Sequence, residues 1–407
     1  MRNIRIFDSL RNSGYRFYLL GMVGQWSSMN MQMIAQPLLI YRLTGSPALL
    51  GLISLANALP TLLLSLYGGA IADRMRKKNL LAIGQVVTVV SSLGIAIALT
   101  TGFMSSQHPD SWLVLMAASV LQGIVMAFIM PARSAIIPEL VSKGQVMNAV
   151  ALENIGMNTF QLITPAVAGL LIDTIGFAGI YYILSGVNLF SIAFFTLIPV
   201  TDTIPASSRN TILDIKEGLK YVRSKTTILL ILAFIAVSML LVMPVQMLMP
   251  VFVDDILKVG ATGMGVLMSL SGAGALVGSI ILASLPSKRR GVILLTSSLF
   301  MSSALVAFAF SRSWTVSLGL MLLMGMGRAG NQTAAITLLQ TISESEYLGR
   351  VMSILSMNMG LTSLGTFFAG ILAESIGVQW AVGGFAMVLV LLSLWGLLFM
   401  TRIRKLD

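Results

Sequence analysis

The chain is predicted to fold as an all-α membrane protein, with twelve transmembrane helices arranged as two six-helix bundles. Three observations carry this prediction. Of 407 residues, 56% are hydrophobic and only 10% charged; the apolar residues gather into runs long enough to cross a bilayer; and the longest polar stretch between runs divides them six and six. A soluble domain has about 25% charged residues, so 26 Lys and Arg with 15 Asp and Glu are too few to keep a chain of this length in water. Lipid is the solvent that fits.

A hydrocarbon core about 30 Å thick needs roughly 20 apolar residues per helix. Marking such runs between polar breaks gives spans at 17 to 40, 48 to 71, 80 to 101, 112 to 131, 146 to 172, 177 to 199, 227 to 252, 263 to 285, 292 to 310, 315 to 339, 350 to 374 and 379 to 401. The first and fifth are the most polar. They carry Gln25, Asn30, Gln32 and Gln36, and Glu153, Asn154, Asn158 and Gln161, so they are expected to face protein or an aqueous cavity.

An even number of spans places both termini on one side, and the charges identify it. All the Lys and Arg but four fall in the N-terminal tail, the 2-3 loop, the 4-5 region, the 6-7 connection, the 8-9 loop, Arg350 and the C-terminal tail. The four are Arg42, Lys258 and Arg312 on the opposite side, and Arg328 inside the tenth span. Both termini are therefore expected in the cytoplasm, with the chain multi-pass in the cytoplasmic (inner) membrane of a bacterium. The net charge of +11 follows from this topology, and no nucleic-acid partner is expected. The tail runs into a full-length span without a small-residue cleavage site, so the first helix is expected to stay as an anchor.

Three domains are expected: a six-helix bundle at 1-200, a linker at 201-226 and a second six-helix bundle at 227-407. In the linker, Ile212, Ile215, Leu219 and Val222 recur at helical spacing among charges, which predicts an amphipathic helix on the cytoplasmic membrane face. An internal repeat supports the division. AGLLIDTIG at 168-176 returns as AGILAESIG at 369-377, with Asp173 matched by Glu374. A repeat of six helices keeps its orientation, giving a parallel pseudo-twofold along the membrane normal and pointing to a two-bundle transporter.

At residues 69-78 the sequence reads GAIADRMRKK. It resembles the 2-3 loop signature of the major facilitator superfamily, with Gly69, Ala72, Asp73, Arg74, Lys77 and Lys78 in register and Arg76 where the pattern has Gly. PARSAIIPELV at 131-141 and LGRVMS at 348-353 are similar to the branch that holds macrolide-efflux proteins and the enterobactin exporter. The resemblance implies the superfamily fold and places Asp73, Arg74, Lys77 and Arg133 at a cytoplasmic gate. There Asp73 would latch against span 11 in one alternating-access state, the alternative being an interfacial acid that helps set topology. Two departures bear on mechanism. Ser119 stands where the drug-antiporter pattern has an Arg three residues before Gln122-Gly123, and Thr164, Pro165, Ala168 and Gly169 keep only part of the span-5 pattern.

Arg133 lies nine residues before a turn near 142 and Glu153 eleven after it, so at 1.5 Å per residue they reach similar depth on antiparallel neighbours and can pair. Glu153 is then either half of a structural ion pair or the protonatable coupling group, since a carboxylate inside a span marks function by default. Met22, Met29 and Met33 share a face of span 1, and Met239, Met243 and Met247 a face of span 7; thioethers suit a cavity for varied apolar ligands, or simply lipid. Gln25, Met29, Asn30, Gln36, Asn158, Met243, Gln246, Arg328, Asn331 and Asn358 are the cavity candidates. Arg328 is either satisfied by backbone carbonyls at a broken helix, or it faces a cavity and holds an anionic substrate group or repels the proton of Glu153. The glycines of spans 8 and 11 are read as helix-packing positions.

The chain has no Cys and one His, and neither a catalytic constellation nor a nucleotide loop. It is expected to be no enzyme and to need no metal or cofactor, drawing instead on the proton motive force. The expected function is secondary active export of hydrophobic or amphipathic small molecules, such as drugs, siderophores or secondary metabolites, by a monomer rocking its two bundles around a central cavity among membrane lipids. An ion-coupled importer, a lipid flippase and a non-transporting scaffold remain as alternatives.

Overall fold

A computed structural model describes residues 7-105, 108, 110-199, 211-284, 289-404 and 406, with the side chains at 66, 68-70, 72-74, 211-216, 359 and 403 left aside. Among the described residues there are helices and connections but no strand. The long helices are α1 (Ser13–Thr44), α2 (Pro47–Arg74), α3 (Lys77–Thr100), α4 (Trp112–Leu140) and α5 (Val146–Thr196). A shorter α6 (Thr211–Ser224) follows, then α7 (Thr226–Val242), α8 (Pro244–Val251), α9 (Gly260–Ser284), α10 (Arg290–Phe310), α11 (Trp314–Ile342), α12 (Leu348–Ile376), α13 (Val378–Phe399) and a last turn, α14 (Thr401–Arg404). In hydrocarbon every backbone polar group must be satisfied within its own segment, which is why apolar sequence of this length becomes helix.

Two spans, the fourth and the seventh, differ from the sequence reading. The fourth continues to Leu140, because Pro131 and Pro138 sit inside the helix instead of ending it, so PARSAIIPELV is helical. The fifth and sixth are two helices, as the sequence reading expects, that meet end to end within α5 at a kink at Gly176, φ 74 and ψ 178, a backbone conformation that glycine adopts at no steric cost. The seventh is interrupted at Met243–Pro244 and closes with a π-helical turn over Phe252–Ile256. Among the described residues, nine helices have the length and apolar composition of membrane spans, α5 being long enough for two. The two long helices outside that set are α1 and α11, which hold the glutamines of span 1 and Arg328. The fifth span, by contrast, lies within a helix that qualifies.

The chain divides into two compact units, one of Met1–Thr44 with Ala56–Ser208 and the other of Gly45–Leu55 with Arg209–Asp407. In the first, α1 lies on the second half of α5 because Gly21 and Gly24 admit Phe195, Ser191 and the carbonyl of Val187. The core is Tyr15, Tyr18, Met22, Trp26, Ile129, Ile137 and Phe195. Two further glycine contacts set helix spacing: Gly84 accepts Ile129, and Gly123 accepts the carbonyl of Asn57. The Asn57 amide donates to the Ser119 carbonyl at 3.1 Å and the Thr61 hydroxyl to that of Gly123 at 2.9 Å, tying α2 to α4.

In the second unit Gly274, Gly278 and Gly325 bring α9 and α11 together, and Gly365 brings α12 onto the Leu240 carbonyl. The first turns of α2 belong here: Gly51 meets Thr366 and Phe367, and Gly370 meets the carbonyl of Pro47. The Glu374 carboxylate accepts the Ser46 hydroxyl at 2.6 Å and the Ala48 N–H at 3.1 Å, placing an anion at the start of a helix, where the dipole favours it. The amphipathic helix α6 forms, and Val222 of the expected row lies on its packed side. Leu219 is 55% exposed, while Tyr221 and Val222 are buried. Ile212 and Ile215 lie outside the described side chains. Tyr221 stacks on Tyr347 with ring centroids 4.2 Å apart, its hydroxyl accepts the Glu344 N–H at 3.1 Å, and Glu217 pairs with Arg350 at 2.7 Å. Protein contacts at the start of α12 thus set its phase.

These close approaches give a direct test. Gly123→Val should cost about 1 to 3 kcal/mol through overpacking, read as a lower melting midpoint in detergent. Gly94→Ala, whose Cβ would meet nothing within 4 Å, should hold or raise the midpoint, since alanine favours a helix interior over glycine.

Candidate functional site

The first unit holds a guanidinium and a carboxylate in contact. Arg133 Nε donates to Glu153 Oε1 at 2.6 Å, joining α4 to α5 as the hairpin arithmetic expects. Both are largely shielded, with side-chain exposures of 18% and 10%. The Tyr18 hydroxyl on α1 donates to the same carboxylate oxygen at 3.0 Å, and that of Tyr15 to the Ala149 carbonyl one turn away at 2.7 Å. The guanidinium lies 5.9 Å from the centroid of Trp26, which stacks toward Phe160, and its Nη2 donates to Met157 Sδ at 3.7 Å. Trp26 fits because Gly156 has no side chain where the indole passes. Three helices therefore build one aromatic and thioether box around one ion pair. Such a pair is costly to bury but also costly to halve, since losing one partner strands the other charge.

With Glu153 ionised, the pair is neutral as a unit and ties α4 to α5 and, through Tyr18, to α1.

A second buried pair was not legible in the sequence. Lys77 Nζ meets Glu139 Oε1 at 2.7 Å, with side chains only 5% and 6% exposed. The neighbouring Lys78 donates to the Ile198 carbonyl at 2.8 Å. Lys77 opens α3 and Glu139 lies in the last turn of α4, so this contact depends on α4 continuing past Pro131. The side chains of Asp73 and Arg74, named with Lys77 from the loop signature, lie outside the described ones.

The cavity candidates separate into those turned into protein and those left accessible. Gln25 is buried with its carbonyl oxygen unpartnered among the described residues. Asn30 is buried and donates to the Trp26 carbonyl at 2.8 Å, while Gln36 donates to Ser119 Oγ at 2.6 Å. The serine at the missing-arginine position is thus used to join α1 to α4. Met29 and Asn158 are exposed and Met243 and Gln246 half-buried, whereas Met22, read as sharing the face of Met29, is fully buried. Asn358 is buried and donates to the Leu232 carbonyl at 3.4 Å. Of those on α1, Gln36 lies far from Glu153. Gln36 is eighteen residues beyond Tyr18, roughly 27 Å along the helix.

Arg328 and Asn331 stand apart on α11. The helix is continuous from Trp314 to Ile342, so the broken-helix reading of Arg328 is overturned: no freed carbonyls exist there to satisfy it. Among the described residues, no group of His, Cys, Asp and Glu could hold a metal ion.

Comparison with known proteins agrees with the fold and the loop signature. The family model described as Major Facilitator Superfamily matches residues 18–361 and 250–406. Macrolide efflux protein A of Streptococcus pyogenes is 25% identical over 385 residues, covering 91% of this chain and 93% of that protein. The enterobactin exporter of Shigella boydii is 22% identical over 326 residues, covering 80% and 76%. A bacterial homolog of the human lysosomal transporter Spinster, solved in an inward-facing and unoccupied conformation, aligns over 98% of both chains with a TM-score of 0.76 at 13% identity.

The Lys77–Glu139 pair predicts an asymmetry. Glu139→Gln should destabilise the protein by about 3 to 5 kcal/mol because it strands a buried ammonium, whereas Lys77→Met with Glu139→Leu should recover most of the loss, both measured as melting midpoints.

Proposed function

We propose that this chain, which belongs to the Major Facilitator Superfamily, is a proton-coupled exporter of hydrophobic or amphipathic small molecules. It is a multi-pass membrane transporter and not an enzyme. Export is supported by its relatives, which include proteins named for macrolide efflux, enterobactin export and multidrug efflux. The reading agrees with the sparse charge of the spans, since a pocket for varied apolar ligands favours thioether and aromatic walls.

One observation carries the coupling: a carboxylate inside a span, bound at once to an arginine and a tyrosine from two other helices. Proton arrival at Glu153 removes the charge that holds Arg133, and proton departure restores it. Because one carboxylate holds groups from α1 and α4 against α5, their relative positions respond to a single proton. Alternating access then needs an element whose two arrangements are biased by proton and by substrate, and this three-helix junction supplies one. Asp73 and Arg74 keep the gating role that the loop signature implies. The charge distribution supports termini in the cytoplasm, and the reading takes the proton motive force as the energy source and the monomer as the working unit.

Glu153→Gln mimics the permanently protonated acid. In inverted membrane vesicles it should abolish proton-driven accumulation of a transported drug while leaving downhill exchange within about twofold of wild type. Accumulation by the variant with wild-type pH dependence would show that the pair is structural and that coupling lies elsewhere.

A further inference from the structure

Arg328 sits midway along α11, fourteen residues from either end of Trp314–Ile342, or about 21 Å from each. Snorkelling over that distance is out of reach, and an arginine facing lipid at a helix centre is strongly disfavoured. The stripe of α11 above and below it is covered by protein. Met321, Met324 and Ala335, at seven and four residues before and seven after, are each 2% exposed. Yet Arg328 itself is only half-buried, so the cover over this stripe has an opening at that residue.

The direction of that opening follows from the neighbours of the helix. Gly325 lies against Ser271 of α9, and Gly327 and Gly330 lie against Met301 and Ser297 of α10. At 100° per residue, Arg328 is turned about 60° from Gly325 but about 120° and 160° from Leu322 and Met326, which Gly274 and Gly278 of α9 meet, and about 100° and 160° from Gly327 and Gly330, so it points away from the middle of both seams. Every other long-range charge pair described inside the helical bundles is closed: Lys77 with Glu139, and Arg133 with Glu153. Arg328 has neither a hydrogen-bond nor an ion-pair partner among the described residues. One turn on, Asn331 is 7% exposed, and its buried amide nitrogen is also without a partner.

A guanidinium and a carboxamide nitrogen are donors only. Two unpartnered donor groups one turn apart on a buried stripe match a ligand that brings oxygen acceptors and negative charge. We propose that Arg328 and Asn331 form the anchor for an oxyanion on the transported molecule, so that its substrates include amphipathic carboxylates. The carboxylate takes the guanidinium in the planar, two-pronged geometry that arginine favours, with the Asn331 amide on the remaining lone pairs. The apolar body extends over the surrounding stripe. This assignment rests on the export reading and narrows its substrate class.

Fusidate, an amphipathic carboxylate, and its uncharged methyl ester make a matched pair of probes. Binding to the purified full chain is followed by thermal shift, and transport by uptake into inverted vesicles. Fusidate should bind wild type at least about tenfold more tightly than the ester. Arg328→Gln should remove that preference without weakening the ester, Arg328→Lys should keep part of it, and Asn331→Ala should reduce it. Equal affinity for acid and ester, no binding of fusidate, or equal loss of both ligands in Arg328→Gln would overturn the anchor; Arg328→Lys, which keeps the charge, separates that last result from misfolding. The export reading is scored apart from this. Arg328-dependent fusidate binding without vesicle uptake would defeat export and leave the anchor standing, whereas uptake of the ester alone would defeat the anchor and leave export standing.

Discussion

A hydrogen-bonded ion pair taken out of water is stable only while both halves are present, and the first unit is organised around one. Arg133 and Glu153 meet at 2.6 Å, with the Tyr18 hydroxyl on the same oxygen. To bring them together α4 must run through Pro131, α5 must begin at Val146, and α1 must lie close enough for its tyrosines to reach across. The small residues do that last part. Gly21 and Gly24 let α1 settle on the sixth span, and Gly156 opens the space for the indole that flanks the guanidinium. Packing and electrostatics are therefore one problem here, because the same helix spacing that fills the core sets the length of the ion pair.

The scarcity of charge inside the bilayer makes each charged group informative. Lys77 and Glu139 close on each other near helix ends, and they read as a clamp between α3 and α4. Arg133 and Glu153 close on each other deeper in, on a residue whose charge a proton can cancel. Arg328 closes on nothing described. Two closed pairs and a cation without a described partner are different solutions to the same desolvation cost, and in the proposed function they divide the work between holding, coupling and binding.

The fold was legible because bilayer thickness imposes its own ruler on the sequence: apolar runs of the right length, polar breaks and asymmetric Lys and Arg placement leave little freedom. The Arg133–Glu153 contact was also legible, since antiparallel neighbours equidistant from a turn must reach equal depth. What escaped were features that depend on tertiary contact. Pro138 looks like a terminator in a single sequence, yet α4 continues through it to carry Glu139 to Lys77. Tyr221 is hidden within a charged linker, and only the stack on Tyr347 shows that α6 also packs on protein beside Val222. Tyr18 gave no signal as a ligand of Glu153, because 135 residues separate them. For Arg328 the sequence left a broken helix and a cavity both open, and the unbroken α11 removes the first.

The central claim is that Glu153 alternates between an ion pair with Arg133 and a protonated acid. Infrared difference spectroscopy on the purified chain in lipid, recorded as the pH is lowered through the range in which transport occurs, reads this directly. The account predicts a carboxylic-acid carbonyl band that rises in wild type, is missing in Glu153→Gln, and moves when Tyr18→Phe removes the second hydrogen bond. Spectra of wild type and Glu153→Gln that superimpose across that range would contradict it.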